Sequence, residues 1–310
     1  MKLIDQVIKD FQDKKLTHET QADTNLRNAL NNPEFKNAYN LVRSLQLDYA
    51  KLKYENKDTS KILNEIKKAK EDLRNTADKL GIDTSTLKPN YDCNICKDTG
   101  KIGKEYCECF KSSLSKTLLL SCGLDYNNLP DFDNMSYDIV KNPPQKTQYV
   151  KLSEIFKNYI SKLKSTDKKL FLLSGQVGVG KTYLLKATTH EAIKNGFFAL
   201  YTTAFDLNKA FLNYHCARLE DKDEILDKYL NCDLLLIDDL GTENKLNNVT
   251  TEYLYLIINQ RLESGKNTII TTNLQINELQ DRYDERIMSR ISNKQTCITT
   301  ILNGEDLRLN

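Results

Sequence analysis

The stretch GQVGVGKT, residues 175–182, follows the apolar run KLFLLS and precedes a segment with helical spacing. It matches G-x-x-x-x-G-K-[ST] in full, and a buried strand before it with a helix after it is the context in which that pattern cradles phosphate. Gly175, Gly178 and Gly180 let the backbone approach phosphate oxygens. The amides at the helix start bind anion, Lys181 supplies a point charge to the outer phosphates, and the Thr182 hydroxyl ligates Mg²⁺. Gln176, Val177, Val179 and Tyr183 complete the expected nucleotide-binding stretch.

The cradle also constrains the architecture around it. From about residue 150 short apolar runs (KLFLLS, FFALYT, DLLLIDD, NTIITTN, CITTIL) alternate with helix-like stretches, the pattern of a parallel sheet covered by helices on both faces. In such sheets ligands gather at the carboxyl ends of the strands. LLLIDDL ends there in Asp238 and Asp239, whose side chains leave an extended strand on opposite sides. Asp238 is expected to face Mg²⁺, and Asp239 the water that attacks the γ-phosphate. Asn273, at the end of NTIITTN, is placed to orient that water.

The first part of the chain reads differently. Glycine is almost absent from residue 1 to about 88, and Leu41, Leu45, Leu52, Ile62, Ile66, Ala69 and Leu73 recur at helical spacing among charged residues. Pro33 and NKDTS divide this region into pieces, and Gly81 with Lys88-Pro89-Asn90 ends the last helix. We expect a helical, partner-binding region at 1–90, a cysteine segment and linker at 91–145 with the linker near 125–150, and an ATPase domain at 146–310. Charged residues make up 28% of the 310, with a net charge of +2, so overall charge demands no polyanionic partner. No apolar run approaches the roughly 20 residues of a membrane span, and the N-terminus lacks a signal-peptide core, so a cytoplasmic protein is expected.

YDCNICKDTGKIGKEYCECF spaces Cys93, Cys96, Cys107 and Cys109 as C-x2-C-x10-C-x-C. Four thiolates so close in sequence suit a closed, structural Zn²⁺ site, the alternative being two disulfides, which a reducing compartment disfavours. Cys122, Cys216, Cys232 and Cys297 are scattered and are expected as buried apolar fillers.

GQVGVGKT, LLLIDDL and TTN, in this order, resemble the P-loop, Walker B and sensor 1 elements of AAA+ ATPases. Asp239 stands where that superfamily more usually has Glu. DRYDERIMSRI places Arg282, Arg286 and Arg290 four apart, and a single helix would carry all three on one face, with Arg282 in surface pairs. ERIMSRI resembles the arginine-bearing helix of the DnaC/DnaI group of replicative helicase loaders, GEDLR the group's closing sensor motif, and CKDTG with CECF the zinc-bearing region of the DnaI type.

The resemblance implies an AAA+ core without a C-terminal lid and weak ATP hydrolysis alone. Arg290, with Arg286 as second choice, would reach a neighbouring subunit's γ-phosphate, and Arg308 would touch nucleotide in its own subunit. It further implies self-association, a hexameric replicative helicase bound through residues 1–110, and single-stranded DNA. For the stretch after FFALYT, extra helical structure near that DNA is implied, while Phe205, Leu207, Phe211 and Leu212 at helical spacing are more readily core. An IstB-like transposition ATPase shares the core, and a nucleotide-switched adaptor without hydrolysis is the rival from another class.

Overall fold

The computed structural model describes residues 2–309, so the outermost positions of the expected 1–90 and 146–310 spans, Met1 and Asn310, lie outside the described residues. Three long helices come first: α1 (Lys2–Leu30), α2 (Pro33–Tyr54) and α3 (Ser60–Lys79). Asn32 caps α2 by accepting from the amides of Glu34 and Phe35, with Pro33 at the first helical position, where its missing N–H costs nothing. Asp58 accepts from the Ser60 amide and hydroxyl just before α3. After α3, Gly81 takes φ +68 and the Ile82 amide returns to the Ala77 carbonyl, a glycine helix stop. Each expected break is therefore present. Phe35, Ala29 and Ala77 form a small core, while on α2 Val42 is buried in place of the expected Leu41, which is 53% exposed.

Ile8–Gly103 form one compact unit, and the residues up to Val7 belong with those from Lys104 onward in the other. The cysteine-bearing stretch around Gly103 carries two-residue strands β1 (Lys101–Ile102) and β2 (Glu105–Tyr106). Beyond it come α4 (Glu108–Ser121), α5 (Pro143–Ser161), β3 (Leu170–Gly175), α6 (Lys181–Lys194), β4 (Ala199–Thr203), α7 (Ala204–Cys216) and α8 (Leu219–Asn231). They are followed by β5 (Leu234–Leu240), α9 (Thr250–Glu263), β6 (Asn267–Thr272), α10 (Ile276–Arg282), α11 (Glu285–Ile291) and β7 (Cys297–Leu302).

Strands β3 to β7 form one parallel sheet in the order β4-β5-β6-β3-β7, the expected α/β class. Leu170–Leu173 and Leu234–Ile237 are buried on both faces, which is why these strands read as unbroken apolar runs. Phe156 and Ile160 of α5 and Leu184, Leu185 and Ile193 of α6 pack with Phe171, Leu173 and Leu236, and α7, α9 and α11 contact β5, β6 and β3 respectively. No described helix is long and apolar enough to cross a membrane.

Residues 125–150, expected as a linker, are part of this unit. Leu129, Phe132 and Val140 join the same core as Phe171, and α5 starts at Pro143 behind an Asn142 cap. Their apolar side chains are isolated and aperiodic, so only tertiary packing reveals them. DRYDERIMSRI is likewise not one helix. Tyr283 and Asp284 leave helical geometry, and Asp284 caps α11 through the Ile287 amide, so Arg282 ends α10 while Arg286 and Arg290 lie on α11.

Arg261 of α9 is 1% exposed and forms no ion pair among the described residues. Its guanidinium donates instead to the carbonyls of Tyr229 (2.7 Å), Cys232 (3.0 Å) and Asn267 and to the Thr268 hydroxyl (3.0 Å), tying the end of α8 to the starts of β5 and β6. Arg261→Met is expected to lower the unfolding free energy by about 3 kcal/mol or more, because several buried carbonyls lose their donor at about 1–3 kcal/mol each. Urea denaturation checks this, and a loss below about 1 kcal/mol would contradict it.

Candidate functional site

The cradle forms as the sequence requires. Gly180 caps α6 at φ +101, and a Cβ there would lie 2.6 Å from the Tyr149 ring, whose hydroxyl donates to the Gly180 carbonyl at 3.0 Å. Lys181 is 4% exposed, and its ammonium donates to the carbonyls of Gly175 (2.8 Å) and Gln176 (2.7 Å) and to Asn273 Oδ1 (2.6 Å). Burial pulls its pKa down, against the pull of Asp239 and Asp238. Val177, Gly178, Gly180, Lys181, Thr182 and Tyr183 line a cavity of about 700 Å³. Val179 faces the core, so it can serve the cradle only through its backbone.

At the end of β5 the two aspartates part company. Pairing with β6 slips between Ile237 and Leu240, a bulge, and Asp239 takes φ +56. The bulge, and not plain strand alternation, separates the two carboxylates. Asp238 is 3% exposed and accepts from the hydroxyls of Thr271 (2.6 Å), Tyr201 (2.7 Å) and Thr182 (3.2 Å). Asp239 reaches the cavity, accepts from Asn273 Nδ2 at 3.3 Å, and its amide donates to Thr271 Oγ1 at 3.0 Å. Its pKa is raised, chiefly by burial and next by Asp238, with Lys181 opposing. Asn273 thus bridges ammonium and carboxylate at the mouth of the cradle.

This donor set fits a magnesium nucleotide. Thr182 and Asp238 would hold Mg²⁺, while the helix start, Lys181 and Arg308 face the cavity where an anionic tail belongs. Sequence reasoning missed Tyr149, Tyr201 and Thr271. Only Thr271 left a signal, since it lies two residues before Asn273 in the run NTIITTN, which in sequence reads as one strand with both on the same side.

Arg286 and Arg290 lie away from these groups, over α9. Arg286 pairs with Glu252 (3.0 Å) and Asp284 (2.6 Å), and its guanidinium sits 4.9 Å from the Tyr255 ring centroid. Arg290 Nε donates to Asn259 Oδ1 at 2.8 Å. Neither residue lines the cavity, whereas Arg308 does. Arg282 does not make the expected surface pairs: it grips the carbonyl and the buried carboxylate of Glu243, which also accepts from the Tyr283 hydroxyl. Of the four residues after β4 expected as core, Leu207 and Phe211 are buried, but Phe205 is 62% exposed and Leu212 41%.

Within the stretch 93–109, Cys93, Cys96, Cys107 and Cys109 each bring a sulfur within 4.8 Å of the others, a donor set that fits one Zn²⁺. Asp98, 2% exposed, accepts from the amides of Cys93 (2.8 Å) and Asp92 (3.0 Å) and from His18 of α1 (3.0 Å). Lys14 to Asp92 and Tyr91 to Glu19 continue that seam along the helix. Cys232 and Cys297 are buried as expected, but Cys122 and Cys216 are exposed.

Comparison with known proteins places this geometry in a family. A model described as IstB-like ATP binding protein matches residues 147–308. The replicative helicase loader DnaC of Escherichia coli (strain K12) is 30% identical over 123 residues, 39% of this chain and 49% of DnaC. The chromosomal replication initiator protein DnaA of Streptococcus agalactiae serotype Ia is 32% identical over 131 residues, 41% of this chain and 28% of DnaA. The chain therefore spans about half of DnaC and less than a third of DnaA. A crystal structure of DnaI covers 59% of this chain and 92% of its own at 21% identity, with a TM-score of 0.45. The similarity to DnaC agrees with the resemblance carried by the motifs. With more than half of its length matched, from α5 through the cradle, the tandem aspartates and the closing tail, the chain belongs to the family of IstB-like ATP binding proteins.

Proposed function

We propose that the chain is an ATPase that places the replicative hexameric DNA helicase on single-stranded DNA in the cytoplasm. The observation that carries this reading is the 30% identity to the replicative helicase loader DnaC over 123 residues. In the reaction, Asp239 accepts a proton from the attacking water, which Asn273 orients, and Lys181 and Arg308 stabilise charge developing on the phosphates. Mg²⁺ held by Thr182 and Asp238 would supply further charge neutralisation. Arg290 of a neighbouring subunit completes the site, so hydrolysis depends on self-association.

Zinc at Cys93, Cys96, Cys107 and Cys109 holds the knuckle that Asp98 and His18 fasten to α1, and residues 1–110 carry the helicase-binding surface. One zinc per chain is expected by elemental analysis, with Cys93→Ser losing it. Full occupancy in that variant would contradict the four-thiolate site.

The test of function is capture of the cognate helicase by the full chain, followed by unwinding of forked DNA that the helicase alone leaves closed. Capture of a transposase in place of a helicase would favour the second reading, a transposition helper, to which the family match lends support. Nucleotide binding without turnover would leave an adaptor.

A further inference from the structure

After β7 the segment Gly304–Arg308 turns back over the cradle. Gln145 of α5, 2% exposed, clamps it through its amide: Oε1 accepts from the Glu305 N–H (3.0 Å) and Nε2 donates to the Glu305 carbonyl (3.1 Å). One turn further along α5, Tyr149 donates to the Gly180 carbonyl, so a single helix grips both tail and cradle. The Leu307 amide donates to the Gly178 carbonyl at 2.9 Å. Gly178 has φ +81, and the Asp306 carboxylate fills the space that a Cβ there would need. The tail is thus seated directly on the phosphate-binding loop.

In that seat, Asp306 Oδ1 accepts from the Arg308 amide (2.9 Å) and from Arg308 Nε (3.1 Å). Nε is the one guanidinium nitrogen of Arg308 engaged among the described residues, which leaves the Nη1/Nη2 edge of the fork open on a side chain that lines the cavity. Guanidinium forks bind phosphate oxygens in pairs, and holding one edge in place reduces the freedom lost when the other edge binds.

We propose that Asp306 is the positioning residue for Arg308: it pins the guanidinium by its Nε edge over the cradle and so presents the free edge to the polyphosphate of the nucleotide. This rests on the ATP reading above. Asp306 is itself an anion near the cradle, and its charge alone would repel the nucleotide. The sign of the Asp306→Asn effect therefore separates positioning from repulsion.

The test is titration of the full chain, with Mg²⁺, using a fluorescent N-methylanthraniloyl ATP. Asp306→Asn is expected to weaken binding about 3- to 5-fold, the size of one exposed ion pair. It should cause no further weakening in an Arg308→Ala background, where only relief of the repulsion remains, because coupled residues are not additive. An Arg308→Lys background should be equally insensitive, since lysine has no Nε edge to hold. Unchanged or tighter binding by Asp306→Asn, or the same loss with and without Arg308, would overturn the proposal, the last result marking a loosened tail that a fall in unfolding midpoint would accompany. If the wild-type chain binds no ATP, the nucleotide reading fails and takes the proposal with it. Wild-type binding that Asp306→Asn leaves untouched removes the proposal alone.

Discussion

Asp239→Asn is expected to lower ATP turnover by about 10²- to 10⁴-fold, the usual contribution of a positioned general base, with nucleotide binding retained. Asparagine keeps the volume at the bulge and tolerates the left-handed φ of +56 as aspartate does, so the loss reports the missing base and not a collapsed strand end. The same carboxyl sets a pH dependence. Burial, and after it Asp238, raises its pKa, so Asp239 takes up a proton at higher pH than an ordinary aspartate. Turnover should therefore fall as the medium is acidified, with the midpoint of the decline above pH 3.8, the unshifted value. A pH–rate profile under saturating ATP checks this. Equal turnover by wild type and Asp239→Asn would remove the carboxylate from the chemistry.

The second large effect concerns the arginines. A finger supplied by a neighbour contributes about 10³- to 10⁵-fold to turnover in comparable sites, so Arg290→Ala should nearly abolish hydrolysis. Arg290 is favoured over Arg286 by what each would have to give up. Arg286 is held by two carboxylates, Glu252 and Asp284, while Arg290 breaks one hydrogen bond to a neutral amide, Asn259. Mixing Arg290→Ala with Lys181→Ala should restore part of the rate, since the second variant keeps its arginine but loses its own cradle. Turnover measured across mixing ratios should peak between the two pure proteins. A flat response at every ratio would contradict action in trans, and loss of rate in Arg286→Ala but not in Arg290→Ala would reassign the finger.

What was legible follows from how each feature is encoded. Strands buried on both faces must be apolar throughout, so Leu170–Leu173 and Leu234–Ile237 announce themselves, and the glycine pattern between β3 and α6 leaves little else to be. The helix breaks at Pro33, at NKDTS and at Gly81 are local backbone chemistry and were equally readable. Features decided by distant partners were not. The bulge that re-aims Asp239 depends on the register between β5 and β6, and Tyr201 joins Asp238 because β4 lies beside β5. Leu129, Phe132 and Val140 have no periodicity, and their burial comes from the core they complete. In DRYDERIMSRI the spacing of four suggested one helix, but the cap at Asp284 outweighs it and sends Arg282 to a buried glutamate. The seat of the tail on Gly178 escaped notice for the same reason: the contact joins residues far apart in the chain.

The central claim is that the loop around Lys181 holds ATP with Mg²⁺. Equilibrium dialysis of the folded, full chain against labelled ATP and Mg²⁺ measures it directly. One saturable site per chain is expected, weakened about 10- to 100-fold by Lys181→Ala, the loss of a charge-assisted contact to phosphate. A folded wild-type protein that stays empty at millimolar ATP would contradict the account.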